Sequence, residues 1–115
     1  MGMNYHNLST DELDFIDIAS VNDLEVGERL FLEIDGQEIV LFNIAGYVYA
    51  IGDVCSHDSG PLGEGDVDQY EIICPRHGAR FDVRTGEVTA LPAVEDIPAF
   101  PVKIEQERIL VGLPK

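Results

Sequence analysis

The sequence predicts an all-β fold, a small antiparallel barrel or sandwich that carries a loop-rich insertion. Short runs of β-branched, aromatic and aliphatic residues alternate with turns of Gly, Asp and Asn. No apolar pattern is sustained at the helical period of about 3.6 residues. The length of 115 residues suits one domain with one core, since domains most often contain about 100–150 residues.

The first half of the chain predicts four strands, three of them consecutive and antiparallel. Asp35-Gly36 is a strong hairpin signal, because both residues tolerate the positive φ of a type I′ turn. A second tight turn is expected at Ala45-Gly46, and residues 20–28 are expected to form a turn or a single helical turn. The predicted strands cover residues 14–18, 29–34, 38–44 and 47–51.

The second half predicts four further strands and one long ordered loop. Residues 91–101 contain three prolines, which exclude a central strand and favour an extended loop. A Thr85-Gly86 turn precedes this loop. The predicted strands cover residues 70–74, 80–83, 102–105 and 109–111. We therefore expect an N-terminal extension over residues 1–13 and a domain over 14–113, with the insertion at about 54–82.

Charge and hydropathy narrow the classes of partner. The net charge of −15 makes nucleic acid and anionic membranes unsuitable partners, because phosphate binding needs a basic face. No apolar run is long enough to span a membrane, and residues 1–15 lack the basic and apolar regions of a secretory signal. We expect a cytoplasmic monomer. Arg76 and Arg80 either contact an acidic partner or are ordinary exposed arginines.

Both cysteines and two of the three histidines lie in two tight pairs. Cys55-x-His57 and Cys74-x-x-His77 are separated by 16 residues, and glycines and prolines around them permit sharp, stiff turns. Three interpretations are open: core cysteines with surface histidines, a structural zinc held by all four residues, or a [2Fe–2S] cluster with two thiolates on one iron and two imidazoles on the other.

This pattern resembles the motif of Rieske iron–sulfur proteins, and its spacing is similar to that of Rieske-type ferredoxins that serve bacterial ring-hydroxylating oxygenases. The resemblance extends over about residues 14–113. Beyond the two pairs it rests on Phe81-Asp82, the turn at 85–87, the proline-rich segment and the closing strand pair.

The resemblance implies a Rieske-like fold, one [2Fe–2S] cluster per chain and the role of a one-electron carrier that is not itself an enzyme. Cys55 and Cys74 would ligate the inner iron, and His57 and His77 the outer, solvent-facing iron. The implied donor is a flavin-dependent NAD(P)H reductase and the implied acceptor a terminal oxygenase that hydroxylates aromatic rings. Alternatives are an accessory subunit of another oxidoreductase, such as a nitrite reductase-like small subunit, and a zinc-stabilised interaction module.

Four positions differ from those in the members of the wider Rieske family that belong to respiratory complexes. Gly60 and Arg76 stand where those proteins have the cysteines of a disulfide that ties the two loops together. Ala79 and Phe81 stand where they have a serine and a tyrosine that donate hydrogen bonds to cluster sulfur. Because such bonds stabilise the more negative reduced state, we expect a low reduction potential.

Overall fold

In the computed structural model, which describes residues 4–115, the described chain forms eleven strands and three short 3₁₀ turns. The turns cover Tyr5–Asn7, Thr10–Glu12 and Val21–Asp23. The strands are β1 (Leu13–Ser20), β2 (Arg29–Ile34), β3 (Gln37–Ile44), β4 (Tyr47–Gly52), β5 (Val67–Asp68), β6 (Glu71–Ile73), β7 (Arg80–Asp82), β8 (Val88–Ala90), β9 (Ala99–Phe100), β10 (Val102–Glu105) and β11 (Arg108–Pro114).

These strands form three sheets, and their pairings are antiparallel, which confirms the all-β prediction. One sheet has the order β1-β11-β10, the second β2-β3-β4-β9 and the third β5-β6-β7-β8. The first two sheets form the body of the molecule. The third sheet, with the loops around it, forms the insertion between β4 and β9, which is taken as residues 53–97; the narrower limits of about 54–82 stay a prediction. No helix within residues 4–115 is long and apolar enough to cross a membrane.

Strand β3 separates two buried cores. Its residues Ile39, Val40, Leu41 and Phe42 are all buried, and side chains alternate between the faces of a strand. Val40 and Phe42 belong to the site-side core, and Ile39 and Leu41 to the body core. The site-side core comprises Val40, Phe42, Ile51, Cys55, Leu62, Ile72, Cys74, Ala79, Phe81, Val83, Ala93, Ile97 and Ala99. The body core comprises Ala19, Leu24, Ile39, Leu41, Ala50, Phe100, Ile109, Val111 and Leu113.

The insertion leaves and rejoins the body at neighbouring strands. Ile51 of β4 pairs with Ala99 of β9, and Gly52 N donates a hydrogen bond of 2.9 Å to Pro98 O. The two ends of the insertion are thereby held side by side on the body.

Three short strands were not predicted, namely β5, β8 and β9. Strand β9 lies within residues 91–101, so the prediction of a loop is wrong at Ala99 and Phe100. Prolines flank these two residues, and β9 occupies a sheet edge, where proline is tolerated. The exclusion of a central strand is confirmed.

The N-terminal segment contacts the body. The rings of Tyr5 and Phe100 lie 5.1 Å apart, centroid to centroid, and Asn4 forms an isolated bridge with Ala99. His6 is exposed. Residues 1–3 of the predicted extension lie outside the described residues, and the division into extension and domain stays a prediction.

Candidate metal centre

The two loops that carry the Cys/His pairs close with the same backbone hydrogen bonds. In each loop the cysteine N–H donates to the carbonyl five residues later, and the N–H four residues later donates to the cysteine carbonyl. The bonds are Cys55 N to Gly60 O (2.8 Å), Ser59 N to Cys55 O (2.7 Å), Cys74 N to Ala79 O (2.7 Å) and Gly78 N to Cys74 O (3.0 Å). Ser59 (φ 61°) and Gly78 (φ 81°) both have a left-handed backbone, which turns each chain back on itself.

These loops bring three of the four predicted site residues together and place the fourth, His57, beside His77. Cys55 Sγ lies 3.7 Å and Cys74 Sγ 3.6 Å from Nε2 of His77, and ligand atoms of these three residues lie within 4.8 Å of one another. The His57 ring meets the His77 ring edge-on at 4.5 Å between centroids. Both thiols are buried and free, whereas His57 is exposed.

The donor set fits a metal centre with mixed sulfur and nitrogen ligands. Nδ1 of His77 is buried and has no hydrogen-bond partner within residues 4–115. Such an unsatisfied buried group costs about 1–3 kcal/mol, a cost that a metal ligand bond removes. Two thiols with two imidazoles are also the donors of a Rieske [2Fe–2S] cluster. The unsatisfied Nδ1 and the donor set favour a metal centre over ordinary core cysteines beside unrelated surface histidines.

Burial raises the pKa of the Cys55 thiol, because a thiolate is poorly solvated in the site-side core. Hydrogen bonds from the backbone N–H groups of His57 and Asp58 act in the opposite direction. The thiolate form that ligates a metal therefore depends on these N–H groups and on the positive charge of the metal itself.

The first loop is fastened to the body by two side chains that the sequence did not indicate. Asp53 Oδ1 accepts hydrogen bonds from Leu62 N at 2.9 Å and from Gly63 N at 2.6 Å. From β2, Arg29 donates from Nη1 to Gly63 O and, at 2.7 Å, to Gly65 O. The loop lies so close to β6 that a Cβ added at Gly65 would be 1.8 Å from the carbonyl oxygen of Ile73.

The apolar residues beside the site, in the first loop and in the proline-rich segment, are buried to different extents. Leu62 and Ala93 are fully buried in the site-side core, whereas Pro61 is exposed and Pro92 half-buried. Ser56 Oγ donates a hydrogen bond to the carbonyl oxygen of Glu95, which connects the first loop to the proline-rich segment.

The arginines beside the second loop form ion pairs within the chain. Arg76 pairs with Asp58 of the first loop. Arg80 lies 3.0 Å from Asp68 and 2.9 Å from Glu71, within the sheet of the insertion. Both guanidinium groups are thus paired with carboxylates of the chain itself.

Comparison with known proteins agrees with this geometry. Residues 14–101 match the family model described as the Rieske [2Fe-2S] domain. The chain is 36% identical over 100 residues to the ferredoxin component of the naphthalene 1,2-dioxygenase/salicylate 5-hydroxylase systems of Ralstonia sp, with 87% of this chain and 96% of the relative covered.

Two solved structures resemble the fold closely. The ferredoxin of carbazole 1,9a-dioxygenase from Nocardioides aromaticivorans IC177 has a TM-score of 0.80 and 38% identity, over 88% of this chain and 98% of that chain. A chain of the complex of reduced oxygenase and oxidized ferredoxin in carbazole 1,9a-dioxygenase has a TM-score of 0.81 and 25% identity, over 88% of this chain and 94% of that chain.

The family match includes β1, both Cys/His loops, the sheet of the insertion and the proline-rich segment. It thus covers the elements that bring the two thiols and two imidazoles together. The chain belongs to the Rieske [2Fe–2S] domain family, whose cofactor is a [2Fe–2S] cluster.

Proposed function

We propose that this protein is the ferredoxin of a multicomponent ring-hydroxylating oxygenase system, an electron carrier and not an enzyme. The match to a ferredoxin component over 87% of this chain and 96% of the relative supports the proposal most directly. The arrangement of two Cys/His loops at one end of a β-sheet body is what a protein needs to present a cluster to successive partners.

In this proposal Cys55 and Cys74 ligate the inner iron, and His57 and His77 the outer iron. The burial of both cysteines and the exposure of His57 support that order from inside to outside. When bound, the cluster takes up and gives off one electron. Two ferric ions, two sulfides and two thiolates sum to zero charge, whereas four thiolates would give −2. An electron is added more easily to a neutral centre, so histidine ligation raises the reduction potential. The exposed imidazole edge brings a docked partner close to the metal.

The proposed electron donor is a flavin-dependent NAD(P)H reductase, and the proposed acceptor is a terminal oxygenase. The resemblance to a ferredoxin solved in complex with an oxygenase supports the acceptor. We propose that the carrier works as a monomer in the cytoplasm, where NADH and NADPH are supplied. With a net charge of −15, its association with an electropositive partner should weaken as salt is added.

The decisive test is metal content followed by electron transfer. The protein is produced with iron supplied, and iron, sulfide and zinc are assayed before the reduced protein is examined by electron paramagnetic resonance. We expect about two irons and two sulfides per chain, with the low average g value of mixed His/Cys ligation. The reduced protein should then lose its electron to a terminal oxygenase. Failure to do so, with the cluster intact, would favour an accessory subunit of another oxidoreductase.

A zinc-stabilised module is the second candidate, because three ligand atoms within 4.8 Å also suit a single tetrahedral ion. One zinc per chain without sulfide would establish this candidate and exclude the electron carrier.

We predict a reduction potential near the lower end of the Rieske range of about −150 to +300 mV. Ala79 and Phe81 are fully buried in the same core as both cysteines, and neither side chain can donate a hydrogen bond to sulfur. The reduced state therefore lacks two stabilising contacts. A spectroelectrochemical titration of the purified protein measures this value, and a midpoint in the upper half of the range would contradict the prediction.

The substitution Phe81→Tyr should raise the potential by about 40 mV, the one-electron equivalent of one hydrogen bond of about 1 kcal/mol. Phe100→Tyr is the matched control, because Phe100 is also fully buried but lies in the body core. The control should leave the potential unchanged. Equal potentials for Phe81→Tyr and the unsubstituted protein would show that this position does not act on the cluster.

A further inference from the structure

One arginine of the second loop contacts two points of the first loop. Arg76 donates from Nε to Oδ2 of Asp58 at 2.6 Å and from Nη2 to Oδ1 at 2.8 Å. Its remaining nitrogen, Nη1, donates to Pro61 O at 2.6 Å. The planar guanidinium thus forms a bidentate pair with a carboxylate, the strongest geometry available to an ion pair. It also forms one hydrogen bond to a backbone carbonyl.

The surroundings hold both partners in place. Asp58 Oδ1 also accepts a hydrogen bond of 2.9 Å from Gly60 N, and Oδ2 lies 3.3 Å from Nε2 of His77. The guanidinium lies directly against Gly60, where an added Cβ would be 2.7 Å from Cζ of Arg76. A larger residue at position 60 would therefore displace the arginine. The pair also keeps the pKa of the Asp58 carboxyl well below its usual range.

From these contacts we infer that Arg76 is a positioning residue that ties the two loops to each other through Asp58 and Pro61, in place of a covalent link, and so keeps the metal centre closed. The inference rests on the proposed ligation of the cluster, with one Cys/His pair on each loop. If the loops separate at this end, the two pairs move apart.

Two other arginines near the loops make contacts elsewhere. Arg80 binds Asp68 and Glu71 within the sheet of the insertion, and Arg29 binds the first loop to β2. The Arg76 contacts run from loop to loop, between residues 15 and 18 positions apart. Loss of a cluster requires local opening of its loops, and removal of a tie increases the population of the open state.

The test measures how fast the assembled protein loses its cluster. With excess iron chelator added to the holoprotein, the decay of visible absorption should be roughly tenfold faster in Arg76→Ala, which corresponds to the loss of a few partly exposed charge-assisted bonds. Arg76→Lys keeps the charge without the bidentate geometry and should decay at an intermediate rate. Arg108→Ala, the control, removes a similar bidentate pair with Asp17 on the body and should leave the rate unchanged.

A second variant distinguishes a link between the two loops from an effect of the arginine's charge alone. Gly60→Cys/Arg76→Cys places two thiols on facing loops without the arginine. With the disulfide formed after cluster assembly, decay should return to the slow rate of the unsubstituted protein, and a phosphine reductant should make it fast again. The rates of amide hydrogen exchange at residues 58–61 and 74–79 should rank the variants in the same order as their rates of cluster decay. This measurement does not depend on electron transfer.

Two results would overturn the inference: decay of Arg76→Ala at the unsubstituted rate, or fast decay of the disulfide-linked variant. Either would leave the proposed function intact, because the unsubstituted protein still holds iron and sulfide. Absence of iron and sulfide from the unsubstituted protein would instead overturn the proposed function, and this inference with it.

Discussion

Replacement of Cys74 by serine should give a folded protein that retains less than about a tenth of the iron and sulfide of the unsubstituted protein. A serine hydroxyl is not deprotonated at neutral pH, so it cannot replace the thiolate ligand. The body should still fold, because its core lies on the other face of β3 and does not include Cys74. The measurement is iron and sulfide per chain, with far-ultraviolet circular dichroism as the check on folding.

Two histidine variants complete this test. His77→Ala should lose the cluster as Cys74→Ser does, because His77 contacts both thiols. His6→Ala should keep it, because His6 is exposed in the N-terminal 3₁₀ turn. A Cys74→Ser protein with the full absorption and resonance spectra of the holoprotein would exclude the proposed ligand set.

The second large effect is expected at Gly65. A single methyl group added there would lie 1.8 Å from the carbonyl oxygen of Ile73 and 3.3 Å from the Pro75 ring. Backbone atoms cannot rotate away as a side chain can, so the first loop must move off β6. We expect Gly65→Ala to lower the free energy of unfolding by about 3 kcal/mol, in the range of severe overpacking.

For a domain of this size, this loss corresponds to a fall in Tm of roughly 10 °C or more, which thermal unfolding of the holoprotein measures. Glu64→Ala is the matched control, because the neighbouring Glu64 is exposed and its truncation should change Tm by less than about 2 °C. Equal Tm values for the two variants would mean that the loop tolerates a side chain at position 65.

The body of the fold was predictable because its signals are local. Asp35 and Gly36 both have positive φ, 51° and 81°, as the hairpin signal required, and β2, β3 and β4 lie within a residue of the predicted ranges. β-Strands of two or three residues, such as β5 and β9, have too few residues to show alternation. Their existence depends on distant partners, as when Ala99 pairs with Ile51.

The candidate site also has a part that was predictable from local sequence and a part that was not. Cysteine and histidine are rare in this chain, so their spacing alone indicated the candidate ligands. The side chains that hold the loops are of common types and act over long separations: Arg29 contacts a carbonyl 36 positions away, and Arg76 a carboxylate 18 positions away. From the sequence, Arg76 and Arg80 either contact an acidic partner or are ordinary exposed arginines; the structure shows that both form ion pairs with carboxylates of the chain itself.

The insertion begins and ends at paired strands, where Gly52 N donates a hydrogen bond to Pro98 O. This arrangement has a consequence for protein engineering. Residues 53–97 amount to a module that could be grafted between two adjacent antiparallel strands of another host without change in the distance between its ends. The host would have to supply apolar residues equivalent to Val40, Phe42, Ile51 and Ala99, which complete the site-side core from outside the insertion. Transplantation of redox function thus requires two matching termini, one matching apolar surface and an arginine placed like Arg29 of β2, which holds the first loop.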